Sequence, residues 1–300
     1  DFKIRKSILT RKDCYSLEHG VDADLKGRFT SLNRRNVSAF CKKLGVSENV
    51  FFLTAYNYCI GLFSNEKDTV GTSIHSGRTD SRWNRLAGPL FLTYFFRNKE
   101  GVDQTVPELL KTNATQIMDT MRCYISNLHA DEMFFQYQGD ILNIDTVGGY
   151  PAERQRMQLD SLPFHLQVFT DAKGYYYELR YWENRFDTRQ LHDFLTVMES
   201  LMDAMQEETL VRRLSRRLPD RLFPLHYTIT VGELNQAAKG QLVTGVDGKE
   251  PVKVYVFDEN CRKKPFGAWG ELYVMDCKPE QVLDEITNPY GPGKLYDSGR

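Results

Sequence analysis

The chain has 300 residues, 41% apolar and 12% aromatic, enough for one large or two modest packed cores and too apolar for a disordered segment. Its 39 basic and 40 acidic residues leave a net charge of −1, which excludes a strong electrostatic footprint for nucleic acid or a membrane surface. Six scattered cysteines with no CxxC pair point to a reduced, cytoplasmic protein. The longest apolar stretch, Phe51 to Phe63, is too short for a membrane span and is interrupted by Asn57. No signal peptide is read, and the opening at Asp1 rather than methionine points to a segment of something longer.

In chain order, residues 1 to 30 mix charges with short apolar runs and give no clear element. Ser31 is expected to cap a helix to about Leu44, with Val37, Phe40, Cys41 and Leu44 along one face and Gly45 as its stop. Ser47 caps a second helix, Glu48 to Phe63, with a wide buried stripe. A strand at Thr69 to Ile74 leads into the loop HSGRTDSRWNR. Another strand follows at Leu90 to Phe96; apolar on both faces, it is expected to be central and covered on both sides.

Thr105 and Glu108 form a capping box, with Pro107 inside the first turn of a helix reaching about Leu128. Met133 to Gln138 reads as a strand. Phe164 to Phe169 and Tyr175 to Trp182 flank a glycine-closed turn and read as a hairpin. Asp187 and Gln190 open an amphipathic helix carrying Leu191, Phe194, Leu195, Met198, Leu201, Met202 and Met205. The expected organisation is a domain over 1–209, a linker over 210–227 marked by Arg212, Arg213, Arg216 and Arg217 with Pro219 and Pro224, and a β-rich segment over 228–300. The arginines suit an exposed helix end near the C-terminal dipole; the alternative is a docking patch for an acidic carrier protein.

The chemistry-bearing motifs are mostly absent. The six histidines are isolated, and there is no HxH, HExxH, GxSxG or P-loop. No catalytic, nucleotide-binding or metal-ligating residue is therefore expected, and no cofactor bound by the chain itself.

Four segments carry a resemblance. They are VFFLTAYNYCIGLFSNEKDTVGTSIHSGR (Val50 to Arg78), LAGPLFLTYFFR (Leu86 to Arg97), DEMFFQYQG (Asp131 to Gly139) and the stretch from Pro163 to Met202. In this order and spacing they resemble the C-terminal lobe of nonribosomal peptide synthetase condensation domains. The resemblance implies an α/β fold: a chloramphenicol-acetyltransferase-like lobe, with a central mixed sheet and packed helices, plus a small β-rich C-terminal segment.

In that family two lobes enclose a tunnel, and phosphopantetheine arms of peptidyl or aminoacyl carrier proteins enter it. A HHxxxDG motif on the first lobe promotes attack of the acceptor amine on the donor thioester. This chain lacks that motif, so the resemblance implies one wall of the tunnel and a first lobe supplied elsewhere. The wall residues it implies are Gly88, Thr93, Arg97, Tyr137, Gln138, His75 and Arg78. Leu92 stands where the family has asparagine, and Arg97 also suits an ion pair with a carboxylate.

Val252 to Val274 and Gly293 to Arg300 are similar to adenylation-domain segments. Arg300 stands where that family places an aspartate for the ribose hydroxyls, so a truncated remnant without ATP chemistry is implied. The alternatives are a noncatalytic carrier-docking scaffold and a stand-alone acyltransferase of the same fold.

Overall fold

The computed structural model describes residues 20–64, 68–76, 81–82, 91–99, 104–122, 133–140, 146–147, 149–152, 162–207, 210–237, 247–257, 263–264, 270–275, 285–289 and 292–297. The chain divides into two compact units. Asp1–Gly101 with Thr105–Thr209 form the first, and Val102–Gln104 with Leu210–Arg300 form the second.

The first unit runs β1 (Asp22–Phe29), α1 (Arg34–Leu44), α2 (Glu48–Ser64), β2 (Asp68–His75), β3 (Leu92–Lys99), α3 (Val106–Arg122), β4 (Met133–Gly139), a two-stranded ribbon of β5 (Thr146–Val147) and β6 (Tyr150–Pro151), β7 (Phe164–Asp171), β8 (Gly174–Trp182) and α4 (Thr188–Glu207). Six strands form one mixed sheet in the order β1-β8-β7-β4-β2-β3. Within it β2, β4 and β7 run parallel to one another, while β1, β8 and β3 run antiparallel to their neighbours.

The helices form where the capping chemistry permits. Asn33, not Ser31, caps α1: its side chain accepts from the backbone N–H of Arg35 and Asn36. The Ser31 N–H is instead taken by Glu199. Gly45 closes α1 in the left-handed region at φ 72°. Ser47 Oγ accepts from Val50 N, and Thr105 and Glu108 exchange both hydrogen bonds of the capping box. Asp187 accepts from the N–H groups of Arg189 and Gln190 ahead of α4.

A continuous aromatic core lies between α2, α4 and one face of the sheet. Every residue of α2 from Val50 to Ser64 is buried, the state of a helix that is apolar all round. Phe52 packs on Tyr175 and Tyr137 at 4.8 and 5.2 Å between ring centroids, and Tyr56 stacks on Phe135 at 4.9 Å. Phe194 of α4 meets Tyr56, Phe63 and Phe164 edge-on.

Buried polar groups are threaded through this core. Asn57 Nδ2 donates to the Phe96 carbonyl at 3.0 Å, and Asn113 Nδ2 donates to Thr54 Oγ1 and Asn98 Oδ1. Gly71 lets Asn57 come this close, because a Cβ there would sit 2.3 Å from Asn57 Oδ1.

Among the described residues, the strand expected at the centre of the sheet lies at its edge and spans Leu92–Lys99. Its aromatic content hides a period of two: Tyr94, Phe96 and Asn98 are buried, while Thr93 and Phe95 are half-buried and Arg97 is exposed. The helix expected to run to Leu128 is described to Arg122, and residues 123–130 lie outside the described ones.

The second unit begins with a 3-10 helix, Val211–Arg217, in the stretch read as a linker. Val211, Leu214, Leu218 and Phe223 of that stretch are buried. It continues with β9 (Tyr227–Thr230), α5 (Val231–Ala237), β10 (Pro251–Phe257), β11 (Glu271–Met275), β12 (Glu285–Thr287) and β13 (Lys294–Asp297), an antiparallel sheet in the order β12-β13-β11-β10-β9. Val231, Leu234, Val252, Val254 and Val274 pack together as one core cluster, and Tyr255, Phe257, Tyr273 and Leu295 as another. The buried Lys263 ammonium donates to Asp220 at 2.9 Å, tying the linker stretch to this unit.

Candidate functional site

Parallel strands direct their carboxyl ends to one rim of a sheet, and in open α/β sheets ligands bind outside those ends. In the first unit that rim carries the ends of β2, β4 and β7, together with the starts of β3 and β8 and the N-terminus of α2.

His75 ends β2 opposite Leu92, and Thr93 lies opposite Ile74, so His75 and Thr93 belong to this rim. Alternation puts Thr93 with Ile74 on the face away from the helices, and His75 on the face of Tyr94. Tyr137 and Gln138 end β4, where the pairing with β7 shifts register between Tyr137 and Gly139. Arg78 and Gly88 fall on the segment between β2 and β3, outside the described residues.

Arg97 does not join them. It lies at the opposite end of β3 and makes a bidentate ion pair with Asp68, a carboxylate at the start of β2. Its guanidinium is exposed and held by that carboxylate.

The rim also holds a cluster that sequence reasoning missed. One oxygen of Glu48, the first residue of α2, accepts from both Tyr137 and Tyr175. Asn49 next to it donates to Tyr94 Oη at 3.3 Å. Burial first, and then the bond to the Glu48 carboxylate, raise the Tyr137 phenol far above its ordinary range; burial and the Glu48 charge do the same for Tyr175. Burial pushes the neighbouring Cys41 thiol up to about 12. At neutral pH the cluster is therefore two hydrogen-bond donors on a fixed acceptor, with no nucleophile among them. No local signal gave it away, since Tyr137 and Tyr175 lie 89 and 127 residues from Glu48.

Across the sheet, His165 of β7 sits opposite Arg180 of β8, with the Phe134 ring edge-on at 5.1 Å. Burial, and secondarily the Arg180 charge, lower its pKa to about 4 from an ordinary 6.5. The folded state thus keeps this imidazole neutral, and the unfolded chain takes up a proton first on acidification. The resulting stability is fully present above pH 6.5 and is lost as pH falls toward 4, amounting to about 3 kcal/mol. Denaturant titrations across that window should give a flatter stability profile for His165→Phe than for the parent. Parallel profiles would refute the assignment.

No family model matches the sequence, and no curated protein matches it. Solved structures do match. The condensation domain of the Monacolin K polyketide synthase MokA superposes with a TM-score of 0.55 at 13% identity, over 69% of this chain and 54% of that one. A four-domain nonribosomal peptide synthetase bound to AMP and glycine gives 0.52 at 14% identity, over 63% of this chain and 17% of that one. The cyclization-docking bidomain of EpoB from Sorangium cellulosum gives 0.50 at 14% identity, over 66% and 44%. The chain thus spans little more than half of the longest-covered of these three, and less of the others. Its fold is that of the condensation domains: α/β, with a central mixed sheet and packed helices.

Proposed function

We propose that this chain is the C-terminal lobe of a condensation domain in a nonribosomal peptide synthetase, followed by an adenylation-like remnant. It forms one wall of the tunnel in which carrier-bound acyl and aminoacyl thioesters are joined by amide-bond formation. What supports this reading is that His75, Thr93, Tyr137 and Gln138 all lie on strand ends at one rim of the sheet, the carboxyl ends of the parallel strands, with His75 and Thr93 on opposite faces of it.

The wall's contribution is to orient, not to transfer protons. Thr93 offers a hydroxyl, and the Glu48–Tyr137–Tyr175 cluster fixes the end of β4 against α2. The general base belongs to a HHxxxDG motif outside this sequence, on a first lobe in the same or a separate chain. The implied partners are peptidyl or aminoacyl carrier proteins, the implied ligand is their phosphopantetheine arm, and the implied compartment is the cytoplasm. Among the described residues no helix is long and apolar enough to cross a membrane.

Leu92 in place of asparagine and Arg300 in place of aspartate favour a second reading, a decayed module kept as a noncatalytic carrier-docking scaffold. The two readings separate in one experiment. Holo carrier should bind more tightly than apo carrier, and adding a first lobe with an intact histidine pair should yield the amide product. Preferential binding of holo carrier without product supports the scaffold; equal binding of apo and holo carrier overturns the tunnel reading.

A further inference from the structure

Among the described residues the sheet of the first unit ends at β1, whose described partner strand is β8. Its sequence is Asp-Ala-Asp-Leu-Lys-Gly-Arg-Phe. Asp22, Asp24, Lys26 and Arg28 are exposed and alternate with half-buried Ala23, Leu25 and Gly27, so the four charges share one face. An edge strand offers its unpaired backbone N–H and C=O groups to any other strand, and charged side chains are a common guard against that. This guard is divided in two: acidic in the first half, basic in the second.

The division makes the strand complementary to itself in one register. In an antiparallel pair of two copies centred on Leu25, Asp22 faces Arg28 of the second copy and Asp24 faces its Lys26. The two-fold axis repeats both pairs, and Leu25 faces Leu25. Shifting the register by two residues sets Lys26 against Lys26 or Asp24 against Asp24. Shifting it by one turns the charged face of one copy against the uncharged face of the other. A parallel in-register pair sets every charge against its like.

The cations are already held in place within each copy. Arg28 is fixed by a bidentate bond to Asp171 and lies over the Tyr176 ring at 5.4 Å. Lys26 lies 3.9 Å from Glu178, its register partner on β8. A shallow cleft of about 370 Å³ runs beside them, with Asp171 and Glu178 in its lining. Val21, 52% exposed just ahead of the strand, would be covered opposite Phe29 of the second copy.

We propose that β1 is a self-association strand, through which two copies of this chain join by antiparallel β1–β1 pairing centred on Leu25, making one continuous sheet of the two.

Sedimentation velocity on the full chain tests this, with two charge-reversed variants. One carries Asp22→Lys and Asp24→Lys; the other carries Lys26→Asp and Arg28→Asp. The parent should form a dimer that weakens with added salt. Each variant alone should be monomeric, and an equimolar mixture should recover a dimer, which only folded partners can form. The milder pair Asp22→Asn and Asp24→Asn should raise the dissociation constant about tenfold. A parent that is monomeric at its highest soluble concentration would overturn the proposal. So would a dimer that persists in both charge-reversed variants, or folded variants, by circular dichroism, whose mixture stays monomeric.

Discussion

Replacing Glu48 with alanine should destabilise the first unit by about 3 kcal/mol, because two buried or half-buried phenols lose a charged acceptor in one step. Tyr175 is only 1% exposed, so water cannot freely take over its bond. The Glu48→Gln variant keeps an acceptor oxygen and should lose roughly half as much. A double-mutant cycle with Tyr137→Phe and Tyr175→Phe, read by denaturant unfolding, separates the two bonds. A Glu48→Ala change smaller than about 1 kcal/mol would show that the cluster is not a fastener between α2 and the sheet. The same cluster should weaken the fold in alkali. Both phenols are raised in the folded state, so their contribution is complete below the ordinary tyrosine value of 10.0 and is lost as pH rises above it.

The second large effect is expected at Asn57. On hydrophobicity alone, Asn57→Leu should stabilise a helix whose other residues from Val50 to Ser64 are all buried. The structure predicts the reverse, a loss of about 3 kcal/mol. Leucine cannot donate to the Phe96 carbonyl, and its branched carbons would lie against Gly71, where a Cβ would sit 2.3 Å from Asn57 Oδ1. A melting temperature equal to or above the parent's would contradict this account of the α2–β2 contact. The buried pair Asn113 and Asn98 should be unaffected, since Asn113 bonds Thr54 and not Asn57.

The segments whose partners are local were legible in the sequence. Gly45, the Thr105–Glu108 box and the hairpin closed at Gly174 declare themselves within a few residues, and each takes the expected place. β1 was missed because Gly27 and two aspartates depress strand propensity, while its order comes from eight register pairs with β8 far along the chain. Tyr177 lies across Gly27, filling space where a side chain would otherwise stand. β3 was misplaced for a related reason. Consecutive aromatics read as two buried faces, whereas only the face of Tyr94 and Phe96 is fully buried. The candidate site divides in the same way. His75 and Thr93 were found on one strand pair, but the Glu48 cluster needs the third dimension, and Arg97 proves to serve the far end of the strand.

The proposed tunnel requires that a carrier's phosphopantetheine arm reach the rim at the carboxyl ends of the parallel strands. Thr93 and Arg97 lie on one face of the same strand, at its near and far ends, and so form a matched pair of positions. Thr93→Cys and Arg97→Cys variants can each be mixed with a carrier loaded with a thiol-reactive pantetheine, and the cross-linked product followed over time against the parent protein. The account predicts rapid cross-linking at Thr93→Cys and only background at Arg97→Cys. Equal rates at the two positions, or faster reaction at Arg97→Cys, would contradict it.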